Sequence, residues 1–148
     1  AKIKGLSENE LIILASLVER EAKFINDRYQ VAAVLLNRVG ADWPLQVDAT
    51  IQYAVASDDC QGNINGNCNW WSKISGSHVR QVNSPFNSYR HKGLPPTPIC
   101  NPSLQSIEAV IKAPLNSPYW YYLSDKEGRI HLSRTLKEHK ENIKQFLP

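Results

Sequence analysis

SENELIILASLVEREAKFI, residues 7–25, is the stretch from which the rest of the chain is read. Ser7-Glu8-Asn9-Glu10 is an S-x-x-E capping box, where a serine hydroxyl and a glutamate carboxylate satisfy each other's orphan backbone donors, so a helix starts here. An advance of about 100° per residue then gathers Leu14, Leu17, Val18, Glu21, Phe24 and Ile25 on one flank. Glu21 is the only charge among them. A carboxylate on an inward face loses hydration, which disfavours its ionised form and raises its pKa. An acid still protonated near neutral pH can donate to a leaving oxygen, as cleavage of a glycosidic bond requires. The structural alternative is a Glu21 that pairs with a buried Arg or caps a neighbouring element. Glu19 points elsewhere on the wheel, toward Ala15, Ser16 and Lys23.

The 148 residues are expected to form one domain, 1–148, with a single proper core. Hydrophobic content of 42% and charged content of 21% place the chain among folded globular proteins rather than disordered ones. The net charge of +3 is spread along the sequence, with no Lys/Arg block and no aromatic residues interleaved in one. Nucleic acid is therefore not expected as a partner, and a polyanionic surface such as cell wall or membrane fits the mild basicity as well. No apolar run approaches the roughly 18 residues of a membrane span. The chain contains no Met and opens directly into a capped helix, so we expect a domain excised from a longer protein with its anchor or export segment upstream.

Cysteines stand at 60, 68 and 100. Cys60 and Cys68 bracket a Gly/Asn-rich loop, Gln61 to Asn67, short enough to fold back and join them. Closure would contribute about 2–3 kcal/mol in the entropy model, and the alternative is two free thiols. A zinc or other metal site is not expected, because no C-x-x-C exists and His78 is the sole nearby histidine. Cys100 reads as a small buried residue.

After a break at Asn26-Asp27, Val31, Val34, Leu35 and Val39 at helical spacing predict a second helix from about Arg28 to Val39, ended by Gly40. Ala49 to Ala56 is expected to be a short helix. Ser57 to Ser84, rich in Asn, Gly, Ser and Asp, is expected to have little regular structure, and long excursions of this kind are often functional. The prolines of Gly93-Leu94-Pro95-Pro96-Thr97-Pro98-Ile99 exclude a helix and a central strand, leaving a rigid extended segment expected to wall a groove. A helix follows from about Pro102 or Ser103 to Lys112. Tyr119-Trp120-Tyr121-Tyr122-Leu123 is the strongest strand signal; Asp125 to Gly128 supplies a turn and Ile130 to Ser133 a return strand. A helix from about Thr135 to Phe146 closes the chain. Helices around a small antiparallel hairpin, without βαβ alternation, give an α+β class.

Several of these segments together resemble one family. Leu14 to Ala22, Val34-Leu35-Leu36-Asn37-Arg38 and Pro44-Leu45-Gln46-Val47-Asp48-Ala49-Thr50 are similar, in order, to the endolytic murein transglycosylases, the YceG-like proteins. Ser84 to Tyr89, Gly93 to Pro96, Ile99 to Pro102, the aromatic run Tyr119 to Leu123 and Glu138-His139 continue the match over nearly the whole chain. Phe86 stands where members commonly carry Tyr, and Lys140 where Asn follows the His. A strand His of the family falls at or beside Ile130, so His131 takes its place only if the hairpin is one residue longer.

The resemblance implies that Glu21, the second Glu of the E-x-E pair, is the catalytic acid. It implies non-hydrolytic cleavage of the β-1,4 bond between N-acetylmuramic acid and N-acetylglucosamine, giving 1,6-anhydro ends, with no cofactor. Gln46 and Asp48 are then site-shaping or substrate-binding groups, or else turn and cap residues. Glu19 is carried as a neighbour of the site and, with Asp48, as a candidate second carboxylate. Asn87, Tyr89 and Asn101 offer neutral hydrogen-bond groups suited to sugars, with turn roles as the alternative, and His139 would orient a site group or lie on the surface. Trp120 and Tyr121 alternate along a strand, so only one of them should face the core. Implied partners are peptidoglycan glycan strands, with peptidoglycan synthases as further candidates. The expected setting is a monomer at the extracytoplasmic face of a bacterial membrane, with the membrane reached only through an anchor absent from this chain. Competing expectations are a hydrolytic muramidase, which needs a second carboxylate, and a non-catalytic wall-binding or division-scaffold module. An intracellular lyase finds little support, since no phosphate-cradling Gly loop is present.

Overall fold

The computed structural model describes residues 3–61 and 66–147. Helix α1 spans Glu8–Glu21 and begins on the capping box: the Ser7 N–H donates to Glu10 Oε2 at 2.8 Å, and the Glu10 N–H donates to Ser7 Oγ at 3.3 Å. It stops four residues earlier than its periodicity suggests, with Ala22 extended at φ −124°, ψ 118°. Arg28 makes this stop possible, because its Nε donates to the Ala22 carbonyl at 3.3 Å and satisfies an oxygen that the helix abandons. Glu21 is thus the last residue of α1, and Phe24 and Ile25 do not continue its flank.

Helix α2 follows at once over Ile25–Gly40, so Asn26 and Asp27 lie in its first turn rather than in a break. Asp27 is used there, accepting the Ile130 N–H at 3.3 Å. Helix α3 covers Asp48–Cys60, longer than expected at both ends. Helix α4, Gly76–Gln81, is a short turn of regular structure within the segment expected to have little. Helix α5 runs Leu104–Lys112 behind the Ser103 cap. Strands β1 (Tyr121–Ser124) and β2 (Ile130–Ser133) pair antiparallel with Leu123 opposite His131, and α6 (Leu136–Phe146) closes the order. Strand β1 starts two residues later than the aromatic run suggests, leaving Tyr119 and Trp120 ahead of it.

The hairpin turn is built on Asp125, whose Oδ1 accepts the N–H groups of Glu127 (3.0 Å) and Arg129 (2.9 Å). Gly128 takes φ +88°, and a Cβ there would stand 2.9 Å from Lys23 Cδ, so the turn needs glycine twice over. The His131 ring belongs to this hairpin: its Nε2 is 2.7 Å from Asp125 Oδ2, and it stacks on Phe146 with centroids 3.6 Å apart.

The core lies where α1, α2 and α5 pack together, around fully buried Leu14, Leu17, Val18, Val31, Leu35 and Val110. Leu45, Val47 and Ile99 bring the two connecting segments onto it. The proline-rich segment is pinned to α1 through Ser16, which accepts the Ile99 N–H at 3.1 Å and gives its carbonyl to Cys100 Sγ at 3.3 Å. Cys100 itself is only partly buried. Cys60 and Cys68 are joined as a disulfide with Cα atoms 5.7 Å apart, tying the end of α3 to the following segment; the middle of their loop, 62–65, lies outside the described residues. The hairpin packs on α2, and α6 packs on both strands, so the C-terminal end of α1 opens into a space between them.

Candidate active site

That space is a cleft of about 600 Å³ with Glu21 in its wall. Its polar lining comes from four places: Arg20 and Glu21 at the end of α1, Arg38 on α2, Gln46 and Asp48 before and at the start of α3, and Tyr89 beyond them. Tyr121 and Tyr122 of β1 and His139 of α6 complete it, while Leu136, Ile143 and Leu147 give one side an apolar rim.

Glu21 is held by two donors. The Tyr122 hydroxyl donates to its Oε2 at 2.8 Å, and the Ala49 N–H, in the first turn of α3, also bonds the carboxylate. Burial is the largest influence on its acidity and pushes the pKa up; the Tyr122 bond opposes it, the Asp48 charge adds to it, and the Ala49 N–H and Arg20 oppose it again. The balance leaves Glu21 raised to about 7, so that near neutral pH it exists both as acid and as base. This is the poise a group needs to give a proton and then take one.

Asp48 stands close enough to act on Glu21 by its charge, and its Oδ1 accepts the Tyr89 hydroxyl at 2.5 Å. Burial and this bond push the Tyr89 phenol far above its usual range, so it remains a donor. The approach of Asp48 to Tyr89 is set by backbone: the Gln46 N–H donates to the Ser88 carbonyl at 3.1 Å, and the Val47 N–H to Ser88 Oγ at 2.9 Å. Gln46 pivots there at φ +55°, a conformation that costs a non-glycine residue about 1–2 kcal/mol and turns its side chain into the cleft. His139 stacks on Tyr121 at 5.3 Å, its Nδ1 is buried with no hydrogen-bond partner among the described residues, and burial followed by the Arg38 charge lowers its pKa.

Four expected groups do not join the cleft. Glu19 faces away, where its carboxylate accepts both Nη atoms of Arg28 (3.1 Å each), the Ser103 N–H (2.9 Å), Ser103 Oγ (2.6 Å) and Ser106 Oγ (2.8 Å). Its burial would raise its pKa, but these bonds and Arg28 outweigh that and hold it below the ordinary value. Glu19 therefore locks α1 to α2 and α5, and it does not line the cleft. Asn87 is fully buried and donates to the Val79 and Val82 carbonyls (3.1 and 2.9 Å), anchoring α4 rather than meeting a ligand. Asn101 is exposed before α5 and lies outside the cleft lining, as does the Gly93–Pro98 segment expected to wall it.

Two residues without an expected role, Tyr122 and Arg38, also line the cleft. Tyr122 bonds Glu21, and Tyr121 beside it also lines the cleft, so both neighbours of the strand reach it. Trp120 stacks on Trp43 with centroids 5.3 Å apart, ahead of the strand. Arg38 is buried, donating to the Leu45 carbonyl (2.6 Å) and, through Nε and Nη2, to the Trp120 carbonyl (3.0 and 2.8 Å). It joins the α3 approach to the strand approach and puts a fixed cation at the back of the cleft. Its place in a Leu-Leu-Asn-Arg run on an otherwise apolar helix face was the available signal.

The fold and site together define an α+β protein with one poised carboxylic acid in an open, aromatic-walled cleft. The sequence profile of the YceG-like family matches residues 1–145, and the chain belongs to that family. It is 32% identical over 146 residues to an endolytic murein transglycosylase of Streptococcus pneumoniae serotype 2 (strain D39 / NCTC 7466), covering 99% of this chain and 25% of that protein. It is 31% identical to the endolytic murein transglycosylase of Bacillus subtilis (strain 168), covering 99% of this chain and 37% of that one. A crystal structure of a yceG-like protein from Listeria monocytogenes superposes with a TM-score of 0.76 at 34% identity, over 92% of this chain and 40% of the other. The chain thus spans about a quarter to two fifths of the length of these relatives. No helix among the described residues is long and apolar enough to cross a membrane.

Proposed function

We propose that this chain is the catalytic domain, 1–148, of an endolytic peptidoglycan lytic transglycosylase, with Glu21 as its acid and base. The observation that carries this reading is a carboxylic acid raised to about 7 in the wall of a cleft, in a chain whose relatives bear that activity in their names. The substrate is the β-1,4 bond between N-acetylmuramic acid and N-acetylglucosamine in glycan strands. Protonated Glu21 donates to the glycosidic oxygen, the C1–O bond breaks and an oxocarbenium-like centre develops at C1. The Glu21 carboxylate then takes the proton from the muramic acid C6 hydroxyl, whose oxygen bonds C1 and closes a 1,6-anhydro ring. Water adds nothing and Glu21 ends protonated, as it began. A single carboxyl serves both steps because the nucleophile belongs to the substrate.

The two donors on Glu21 support the first half of the cycle by stabilising the carboxylate that proton donation leaves, and burial supports the second by making that carboxylate the stronger base. Asp48 is best placed as an electrostatic partner: its charge keeps Glu21 protonated before the reaction and favours positive charge at C1 during it. A hydrolytic muramidase is the second reading, because Asp48 is a further carboxylate lining the same cleft. The expected setting is the extracytoplasmic face of a bacterial membrane, in wall growth and division. Glu21→Gln, which keeps the size of the side chain and an acceptor oxygen but removes the titrating group, tests the assignment. The variant should fold and cut purified peptidoglycan at less than about a thousandth of the parent rate, since proton transfer and nucleophile activation are lost together. Cutting at the parent rate would remove Glu21 from the chemistry.

A further inference from the structure

Arg20 lies in the wall of the cleft beside Glu21, yet among the described residues its guanidinium meets no carboxylate and no hydrogen-bond acceptor. The other two arginines of this region are committed, Arg28 to Glu19 and Arg38 to backbone carbonyls. Arg20 instead packs against Trp71, with its Cζ 3.7 Å from the ring centroid. At that distance a planar cation lies over the aromatic face, which restrains it without using its donors. Its N–H edge remains available, and that edge matches a carboxylate through two parallel bonds.

Trp71 is fixed in its turn. Its N–H donates to Asn69 Oδ1 at 3.1 Å, its carbonyl accepts Gln52 Nε2 of α3 at 3.4 Å, and the Ser72 carbonyl accepts the same amide at 2.8 Å. The disulfide ties Cys68, just ahead of this segment, to the end of α3. The long excursion after α3 therefore has a use that the acid–base chemistry does not account for: it carries the ring against which Arg20 rests.

We infer that Arg20, steadied on Trp71, is a carboxylate-binding subsite of the Glu21 cleft. Its ligand is a carboxylate on the muramoyl side chain of the glycan, an inference that rests on the proposed substrate class. In an intact wall the lactyl carboxyl of the muramoyl sugar is tied up as an amide to the peptide stem, so the carboxylates near the scissile bond belong to the stem; in stripped glycan the free lactyl carboxylate takes that place. Engagement of Arg20 would select which muramoyl residue stands beside Glu21, and so where a strand is cut.

The test is calorimetric binding to the Glu21→Gln protein of a muramoyl tetrasaccharide bearing free-acid stems, the methyl ester of the same fragment, and the stem-free fragment with its lactyl carboxylate. The free acid should bind at least about tenfold tighter than the ester, as one charge-assisted bidentate pair requires. Adding Arg20→Gln should abolish that preference, Arg20→Lys should restore little of it, and Trp71→Ala should reduce it. Preference for the stem-free fragment over the free-acid stems would assign the lactyl carboxylate as the ligand. Equal binding of acid and ester, no binding of either, or a preference that survives Arg20→Gln would overturn the subsite. Cleavage by the parent protein is scored separately, so an acid preference without cleavage refutes the enzymatic reading and leaves the subsite standing.

Discussion

Replacing Glu21 by Gln should stabilise the protein at pH 8 and leave it nearly unchanged at pH 4. The folded protein holds the Glu21 proton up to about pH 7, whereas the unfolded chain releases it near 4.5. Between those values the native state binds a proton that the unfolded state has lost, so stability falls as pH rises. The gap of about 2.5 pH units, at about 1.36 kcal/mol each, comes to about 3 kcal/mol of cost, absent below pH 4.5 and complete above pH 7. Gln is neutral at every pH, so it escapes that cost. Urea denaturation at pH 4 and pH 8 reads the difference between variant and parent at each pH. The opposing acid sensitivity of Glu19 is common to both proteins and cancels. A difference that does not change between the two pH values would show that the Glu21 pKa is not raised and would remove the physical basis of the acid–base assignment.

Tyr122→Phe removes a donor that favours the Glu21 carboxylate, and a hydrogen bond to a charged group is worth about 1.5–3 kcal/mol. The alkaline limb of the rate profile should therefore move up by about one to two pH units, while kcat falls because the carboxylate left by proton donation is less stabilised and Glu21 is the weaker acid. Asp48→Asn withdraws the charge that keeps Glu21 protonated, so the same limb should move down, with anhydro products persisting; strict loss of all cutting with intact Glu21 acidity would favour the hydrolytic reading. Glu19→Ala strands Arg28 and two serine hydroxyls and should cost about 3–5 kcal/mol in denaturant titration, without moving the pH profile of the folded enzyme. Below the ordinary carboxylate range the parent should lose this contribution too, because the depressed pKa of Glu19 makes its stabilisation present above about 4.5 and lost as pH falls through its folded value.

Local signals accounted for the starts of α1, α5 and α6, the hairpin and the α+β class, because caps, periodicity and turn chemistry act within a few residues. Glu21 was legible for the same reason: a charge on an apolar flank contradicts its own pattern. The end of α1 was not, since Ala22, Lys23 and Phe24 carry no breaker and the chain turns because Arg28 supplies a donor to Ala22 from the next helix. The role of Glu19 was hidden in serines more than eighty residues downstream, and the partner of Glu21 in a tyrosine 101 residues away. Asp48 and Tyr89 meet only because Ser88 ties the backbone before α3 to a distant loop. Asn87 misled in the opposite sense: its amide suits a sugar equally well, and only its burial shows that it serves backbone carbonyls.

The central claim, one carboxyl acting twice on a nucleophile supplied by the substrate, is tested most directly by mass spectrometry of the glycan ends that the purified protein releases from peptidoglycan in ¹⁸O-labelled water. The account predicts muramoyl ends lighter than reducing ends by one water, free of label, and absent when Glu21 is Gln. Labelled reducing ends would contradict it and assign the cleft to hydrolysis.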